Sequence, residues 1–516
     1  MSIKSIASTY CPPFLHPAFE RIDNSPIGSR LARGVFWSMA GAVISRGLML
    51  TASVLVARML GKTGFGELGM IRSTVGMFGV FAGFGLGLTA TKHVAEFRTS
   101  DPERAGRIIG LSGLFAIVTG GFMALGLFIF APWLAEHTIN APHLTGVLRI
   151  GALILFINAL NGAQTGALAG FEAFKTIAYV NLFVGLISFP VLVGGAYFGG
   201  LTGAVWALAI NLGFNWLLNH LALRKESRRH KVPFTFRNCS RELSVLWTFS
   251  LPAVLASSMV GPVRWACSAL LVNQPDGYGE MGIFTAALTF QVMLLFVSGM
   301  LSAPLLSMLS NTGPNTNDKL GTVNILSSWI LGVIAAMPLL CFPEIAQMIF
   351  GRDYQNYTFK VTFSIVVFYT TVMMFAAGMA RVLVANSLLW WGFLSNTFWA
   401  IILIGSAAFL IRWGAPGLAA SFAISYVLTA VIFFPLYYSR KLVPKGTLLS
   451  VKTVSIWFVL AGLVVLNIAN MSLLSRSLAF VPSMLIAGIA FMRIAKGATA
   501  AKETITLTNP VVRDFV

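Results

Sequence analysis

Three arginines lie deep inside apolar stretches of this sequence, where a charged side chain is costly. Arg46 and Arg264 stand near the middle of stretches that contain no aspartate, and Arg72 lies about two turns into a third stretch. A mid-span arginine costs roughly 2.5–3.5 kcal/mol on insertion scales, and such residues usually face protein or a water-filled cavity. A guanidinium group also donates paired hydrogen bonds that match phosphate oxygens. Arg46 and Arg264 therefore predict a cavity that suits an anionic ligand such as a phosphate.

The same residue type also has a structural interpretation. Arg46 and Arg264 could instead donate hydrogen bonds to backbone carbonyls of neighbouring helices. Arg149 lies close to a helix end, from which a long side chain reaches the interface, and Arg381, near the internal end of a stretch, fits either role. We therefore take Arg46 and Arg264 as candidate substrate-binding residues and leave the structural alternative open.

The composition indicates helices that cross a membrane. Of the 516 residues, 57% are hydrophobic and 10% are charged, and the mean hydropathy is +0.81, whereas soluble domains carry about 25% charged residues. Apolar stretches of 18 or more residues indicate membrane spans. The predicted fold class is an all-α polytopic membrane protein. Fourteen spans are predicted, at approximately 35–57, 66–90, 108–131, 146–169, 176–198, 200–223, 245–271, 282–306, 321–343, 361–385, 387–411, 415–438, 452–470 and 478–496.

The charge distribution predicts the orientation of these spans. If the N-terminus is cytoplasmic, the internal loops hold most of the loop Lys and Arg, as the positive-inside bias requires. An even number of spans then places both termini in the cytoplasm. The net charge of +19 is explained by this bias, so we expect no nucleic-acid partner.

A repeated phrase indicates that the chain is an internal duplication. The stretch GFGELGM at Gly64–Met70 recurs as GYGEMGI at Gly277–Ile283, and GLTGAVWALAI at 200–210 recurs as GAPGLAASFAI at 414–424. Because the spacing between the copies stays nearly constant, two units of six spans are predicted. Units with an even number of spans share one topology, so their pseudo-twofold axis should stand along the membrane normal, with a central cavity between them.

The duplication divides the chain into predicted segments. They are a cytoplasmic N-terminal tail at 1–33, an N-terminal six-helix bundle at 34–223, a basic cytoplasmic linker at 224–242, a C-terminal six-helix bundle at 243–440, two additional transmembrane helices at 441–497 and a cytoplasmic tail at 498–516.

Two glutamates and three amide side chains are the other candidate functional residues. Glu67 and Glu280 occupy equivalent positions in the repeated phrase, where a carboxylate suits the positive end of a helix; a role in gating or proton coupling is the alternative. Asn158, Asn161 and Gln164 follow helical spacing in the fourth span. They either line the cavity or join neighbouring helices.

The sequence lacks the signatures of covalent chemistry. HExxH, GxSxG and the kinase motifs are absent, and none of the four cysteines forms a CxxC pair. We therefore expect a protein that is not an enzyme, with no catalytic residues, no metal site and no cofactor.

Several stretches resemble one family of membrane transporters. RGVFWSMAGAVISRGLMLTASVLVARMLGKTGFGELGMIRSTVGMF at 33–78, GALAGFEAFKTIAYVNL at 166–182 and GYGEMGIFTAAL at 277–288 are similar to bacterial polysaccharide transporters. These are the Wzx-type flippases of the multidrug/oligosaccharidyl-lipid/polysaccharide (MOP) superfamily. The resemblance implies a V-shaped pair of six-helix bundles with a cationic central cavity for a diphosphate. Arg46, Arg72 and Arg264 match that cavity by residue type and by span, so the resemblance implies that all three bind substrate.

The resemblance also implies a function. It predicts a flippase that moves undecaprenyl-diphosphate-linked oligosaccharide across the bacterial inner membrane for surface polysaccharide export. The expected partners are that glycolipid, membrane lipid and polysaccharide polymerase or co-polymerase proteins, and H⁺ or Na⁺ is the expected coupling ion. The alternatives are an ion-coupled drug or metabolite antiporter of the same superfamily and a membrane polymerase or ligase of the same pathway.

Overall fold

The computed structural model describes residues 26–508, except for 234, 237, 251–253, 255–257, 313–317, 387, 441 and 443–449. The ends of both predicted tails (1–25 and 509–516), part of the predicted seventh span and most of the segment before the thirteenth therefore lie outside the described residues. The described residues form helices and contain no strand. The protein is thus an all-α polytopic membrane protein, as predicted.

The helices follow one another with short connections. They are α1 (Pro26–Gly83), α2 (Leu86–Phe97), α3 (Pro102–Trp133), α4 (Thr145–Gly170), α5 (Phe174–Arg229), α6 (Val260–Val272), α7 (Gly277–Thr312), α8 (Asp318–Cys341), α9 (Pro343–Phe350), α10 (Tyr357–Ala385), α11 (Leu389–Leu410), α12 (Gly414–Ser439), α13 (Val451–Ile468) and α14 (Leu473–Thr508).

Ten segments of the described chain are long and apolar enough to cross a membrane. Three of them, Val43–Phe97, Phe174–Arg229 and Trp390–Ser439, have 55, 56 and 50 residues. About 20 helical residues cross a bilayer once, so each of these three is long enough to cross twice. The predicted number of fourteen spans stays a prediction.

Glycines with positive φ break the longest helical segments. Gly61 interrupts α1 at φ 67° and ψ 178°. Gly200 interrupts α5 at φ 53° and ψ −137°, and Gly414 begins α12 at φ 68° and ψ −142°. Only glycine adopts this region without strain. Gly200 and Gly414 are equivalent residues of the predicted repeat, so the same backbone turn occurs at both positions; the division into two six-helix bundles stays a prediction.

The helix bounds differ from the predicted spans in several places, and α14 continues beyond the predicted end at 496 to Thr508. The first helix begins at Pro26, ahead of the predicted start at 35. The second predicted span is interrupted at Phe84 and Gly85, which both have positive φ. The sixth predicted span continues as helix to Arg229, so the first residues of the basic linker are helical. The first and sixth spans are longer than predicted because the adjoining polar residues continue the same helical backbone hydrogen bonding.

A buried ion network holds the last two helices against the C-terminal half. The Arg476 side chain is 3% exposed and pairs with Glu344, whose side chain is 36% exposed. Arg476 also donates hydrogen bonds to Asn467 (3.1 Å) and to the carbonyl of Cys341 (3.3 Å). Burial would raise the pKa of the Glu344 carboxyl, but the hydrogen bonds and charge of Arg476 outweigh burial, and the pKa lies below its usual value.

We expect Glu344→Gln to lower the free energy of unfolding by about 2 kcal/mol. Breaking a fully buried pair costs about 3–5 kcal/mol, and the partial exposure of Glu344 reduces that figure. Because the folded pKa is lowered, this stabilisation is present above the unfolded pKa and is lost as the pH falls through the folded one. Thermal unfolding in detergent between pH 7 and pH 3 measures both effects. Glu103→Gln is the matched control, since the Glu103 side chain is 83% exposed; equal shifts for both variants would contradict the role of this network.

Candidate functional site

The three candidate arginines line one cavity between helices of the two predicted halves. Arg46 and Arg72 lie on α1 on opposite sides of the break at Gly61, and Arg264 lies on α6. The cavity has a volume of about 640 Å³ and includes all three in its wall. The Arg46 and Arg72 side chains are exposed to it, and that of Arg264 is half-buried.

The three arginines lie several turns away from the nearest break or end of their helices. At a rise of 1.5 Å per residue, Arg46 and Arg72 lie roughly 22 Å and 17 Å from the break at Gly61. Arg264 lies roughly 12 Å from the end of α6 at Val272 by the same rise. Each of these distances along the helix is shorter than the hydrocarbon core of a bilayer, which is about 30 Å thick.

Aromatic rings, rather than carboxylates, face two of the guanidinium groups. The guanidinium carbon of Arg46 lies 5.0 Å from the ring centre of Phe296, and that of Arg264 lies 5.6 Å from the ring centre of Phe422. Both distances suit cation–π attraction. The residues that line the cavity include no aspartate or glutamate. The cavity is therefore cationic, and its charge is available to a ligand.

The rest of the cavity wall is mostly apolar and contains a few hydroxyl groups. Methionines and hydroxyl side chains alternate with glycine and aliphatic residues. The methionines are Met49, Met77, Met281 and Met293, and the hydroxyl residues are Ser53, Ser73, Ser268, Thr285 and Thr289. Methionine adapts to ligands of varied shape, and hydroxyl groups both donate and accept hydrogen bonds. Such a wall tolerates variation around a fixed anionic group.

Close helix packing seals the cavity at the end that is predicted to be external. A Cβ atom on Gly66 would collide with the carbonyl oxygen of Tyr278, and one on Gly282 would collide with the carbonyl oxygen of Lys62. Gly66 and Gly282 belong to the two copies of the repeated phrase. The repeated glycines thus let α1 and α7 touch through their backbones.

Polar contacts surround this seal. Lys62 pairs with Asp276 at 2.6 Å, and the Tyr278 hydroxyl donates to the carbonyl of Ile139 at 2.8 Å. Arg58 donates to the carbonyls of Met348 and Ile349, both at 2.8 Å. Each contact joins a residue before the basic linker to one after it. Opening this end would require all of them to break.

We expect Lys62→Asp to weaken the seal modestly. The Lys62 and Asp276 side chains are 39% and 56% exposed, and an exposed pair contributes about 0–1 kcal/mol, so labelling of a cavity cysteine from outside should rise by up to about fivefold. The double variant Lys62→Asp with Asp276→Lys should return labelling towards the wild-type level. If the double variant labelled more than either single variant, the pair would not hold the seal.

Comparison with known proteins decides the family. A family model for polysaccharide biosynthesis proteins matches residues 31–313, which is just over half of the chain. This chain belongs to the polysaccharide biosynthesis protein family. The matched region contains the whole cationic cavity wall except Phe422.

Two relatives of this family member have names that state a role. One is the EPS I polysaccharide export inner membrane protein EpsE of Ralstonia nicotianae, 25% identical over 279 residues, which cover 53% of this chain and 62% of the relative. The other is a lipid III flippase of Escherichia coli K12, 25% identical over 285 residues, which cover 54% of this chain and 67% of the relative.

Solved structures share the fold of this family member. The lipid II flippase MurJ in an inward closed conformation superposes with a TM-score of 0.64 and 16% identity, covering 89% of this chain and 99% of that chain. An inward-facing multidrug resistance MATE family transporter of the MOP superfamily superposes with a TM-score of 0.63 and 15% identity, covering 77% and 94%. The fold is therefore that of MOP-superfamily transporters, as the sequence predicted.

The repeated glutamates of this family member lie near the sealed end and outside the cavity wall. Glu67 contacts His143 Nε2 at 2.7 Å. Glu280 lies in the first turn of α7. Its carboxylate accepts a hydrogen bond from the backbone N–H of Ala415 at 2.7 Å, so it caps the N-terminus of α12. These contacts give both residues a structural role, and a coupling or gating role stays a prediction.

The polar residues of α4 join helices within the N-terminal half. Asn161 donates to the carbonyl of Leu212 at 3.1 Å and accepts from Asn219 at 3.3 Å. Gln164 lies 3.4 Å from His220, and Asn158 is exposed. The residues that line the cationic cavity include none of Asn158, Asn161 and Gln164, so the structure favours the helix-joining interpretation for Asn161 and Gln164.

The two remaining in-span arginines also lie apart from the cavity. Arg149 is exposed, with its guanidinium carbon 5.1 Å from the ring centre of Phe128. Arg381 is buried and donates to Asn324 (2.6 Å), Ser302 (3.1 Å) and Ser328 (2.9 Å). A buried arginine that donates hydrogen bonds to several neighbouring helices holds those helices together. Arg381 is thus a structural residue of the C-terminal half.

Sequence reasoning missed the residues of the seal. None of Arg58, Lys62 and Asp276 was singled out from the sequence. The signal that could have found them is the repeat itself: the residues beside both copies of the phrase lie next to each other if the copies pack together.

Proposed function

We propose that this protein is an inner-membrane flippase that moves polyprenyl-diphosphate-linked oligosaccharide between leaflets. The observation that carries the proposal is the cationic cavity, in which Arg46, Arg72 and Arg264 face one space without a carboxylate. The family, and the polysaccharide export and lipid flippase roles of its relatives, support the same assignment.

The proposed mechanism follows from where the charges lie. The diphosphate enters the cavity and accepts hydrogen bonds from guanidinium groups of both halves, which compensates for the lost hydration of the anion. The polyprenyl chain stays in lipid, and the adaptable wall accommodates the sugars. The halves then rock so that the seal at Gly66 and Gly282 opens and the opposite end closes. No covalent bond changes, so the protein acts as a transporter and not as an enzyme.

The driving force, the orientation and the partners belong to the same proposal. Both termini lie in the cytoplasm, H⁺ or Na⁺ is the coupling ion, and a polysaccharide polymerase receives the flipped unit. Glu67 and Glu280 are the proposed coupling residues because they are carboxylates close to the seal, where their bonds to His143 and to the N-terminus of α12 would change as it opens.

The antiporter alternative requires a cavity of the opposite charge for cationic drugs. Three arginines without a carboxylate repel a cation and attract an anion. A MOP-superfamily transporter from Pyrococcus furiosus, with a TM-score of 0.61 and 15% identity, is described as having a binding pocket of reverse polarity that suggests a different function. Pocket charge is therefore a reasonable basis for separating functions on this fold.

Reconstitution tests the proposal. The purified protein in vesicles should expose a polyprenyl-diphosphate-linked oligosaccharide, loaded in the inner leaflet, to a glycosidase added outside. Protein-free vesicles and vesicles with a cationic dye are the controls. Efflux of the dye without exposure of the glycolipid would favour the antiporter and overturn the flippase.

A further inference from the structure

We propose that the C-terminal end of α5 carries a binding surface for anionic phospholipid headgroups. The surface consists of Arg224 and Arg228, flanked by Lys225 and Arg229. All four side chains are exposed. They lie on the last two turns of α5, in residues that the sequence analysis assigned to the basic linker at 224–242.

The surface continues a stripe of α5 that faces lipid. Trp206, Ile210, Leu217 and Leu221 are 46%, 58%, 43% and 54% exposed. They follow one another at spacings of four or seven residues, which keeps them on one helix face. Arg224 and Arg228 extend the same spacing. These two guanidinium groups therefore point sideways, in the direction in which the apolar residues meet acyl chains.

The height of these cations fits the headgroup layer. Arg224 and Arg228 lie three and seven residues beyond Leu221, which is roughly 5 Å and 10 Å along the helix. The polar region of a bilayer begins at the edge of its hydrocarbon core and is several ångströms deep. Side chains that point sideways at this level meet phosphate groups, and flexible stems let them adjust.

The opposite face of the same turns is fixed to the protein. Glu226 is 5% exposed and accepts a hydrogen bond from Thr176 at 2.9 Å. Ser227 is 2% exposed and donates to the carbonyl of Val232 at 3.0 Å. Because these contacts prevent rotation of the helix end, Arg224 and Arg228 stay on the lipid side, whereas Arg229 lies beside Glu226, with its guanidinium 3.6 Å from that carboxylate. Clusters of four or more cations at this position are typical of anionic-lipid recognition.

Helix-end cations also interact favourably with the helix dipole without any ligand, and the test separates that role from lipid binding. The purified protein in neutral detergent is titrated with phosphatidylglycerol or phosphatidylcholine, and bound lipid is followed by native mass spectrometry and by the unfolding midpoint. We expect phosphatidylglycerol to bind and stabilise in a salt-dependent way, and phosphatidylcholine to do neither.

Matched variants locate the site. R224Q/R228Q should weaken phosphatidylglycerol binding roughly 20-fold, whereas K231Q/R241Q, which removes two exposed cations of the following loop, should change it only slightly. R224K/R228K keeps the charge and should bind nearly as well as the wild type. That result would show that the loss in R224Q/R228Q comes from the missing charge and not from a change in the fold of this segment. Equal losses for R224Q/R228Q and K231Q/R241Q would overturn the proposal.

A competition experiment distinguishes this site from the proposed transport site. A polyprenyl diphosphate should leave phosphatidylglycerol bound at α5, and R224Q/R228Q should still flip the glycolipid in vesicles of neutral lipid. Displacement of phosphatidylglycerol by the polyprenyl diphosphate would contradict the assignment to phospholipid. Failure of flipping by the wild type would contradict the proposed function and leave the binding result standing on its own.

Discussion

Replacing Arg46 or Arg264 with glutamine should lower the rate of glycolipid flipping by roughly 10- to 100-fold. A hydrogen bond to a charged group contributes about 1.5–3 kcal/mol, and each 1.4 kcal/mol is a factor of about ten. The two residues approach the cavity from the two predicted halves, and each makes a cation–π contact, with Phe296 or Phe422, that glutamine cannot replace. The initial rate of glycolipid exposure in vesicles measures the effect.

Two variants calibrate that result. Arg149→Gln removes an exposed arginine of α4 that does not belong to the cavity wall, so its rate should match the wild type. Arg46→Lys keeps the charge but loses the paired donors, so it should retain an intermediate rate. Normal flipping by both Arg46→Gln and Arg264→Gln would contradict the assignment of these arginines to the substrate.

Replacing Gly66 or Gly282 with alanine should open the sealed end of the cavity. In each case the added Cβ meets a backbone carbonyl of the facing helix, which can withdraw only if α1 and α7 separate. Overpacking of this kind costs about 1–3 kcal/mol, enough to shift a conformational equilibrium by about 5- to 150-fold. A cysteine at Ser268, in the cavity wall, should react faster with an impermeant thiol reagent added outside.

Gly126→Ala is the matched control for the helix backbone. A Cβ at Gly126 meets nothing within 4 Å, and alanine stabilises a helix by about 1 kcal/mol relative to glycine. Gly126→Ala should therefore leave labelling and stability unchanged or slightly improve stability. If Gly66→Ala and Gly282→Ala behaved like Gly126→Ala, the glycine contact would not be the seal.

The fold was largely predictable because apolar length is a strong signal. Stretches such as 361–385 and 452–470 agree with α10 and α13 to within a few residues, since lipid requires continuous apolar helix. The break at Phe84 and Gly85 was less predictable, because a helix accepts single glycines and only tertiary contacts decide where the backbone turns. The turn at Gly61 falls between the predicted spans 35–57 and 66–90.

The site was predictable only in part, for a different reason. Arg46, Arg264 and Arg381 look alike in the sequence, since each is an arginine in an apolar stretch. They differ in their partners: Arg381 uses its donors on Asn324 and two serines of other helices, whereas Arg46 and Arg264 face a cavity. Sequence spacing reports which residues share a helix face, and it does not report which helices become neighbours.

Predicting the contacts between the two halves also requires knowing which helices become neighbours. Lys62 and Asp276 are 214 residues apart along the chain and 2.6 Å apart in space. Their pairing requires the two copies of the repeated phrase to pack against each other. The repeat alone does not indicate this contact, because it does not show where the axis that relates the copies lies. The repeat was recognised from the sequence, but that contact was not.

Direct binding of a short-chain prenyl diphosphate to the purified protein tests the central claim most directly. Calorimetry should show one site whose affinity falls with salt, and the triple variant R46Q/R72Q/R264Q, checked for its unfolding midpoint, should lose this binding while R149Q keeps it. Equal affinity of the wild type and the triple variant would contradict the claim that these guanidinium groups hold the diphosphate.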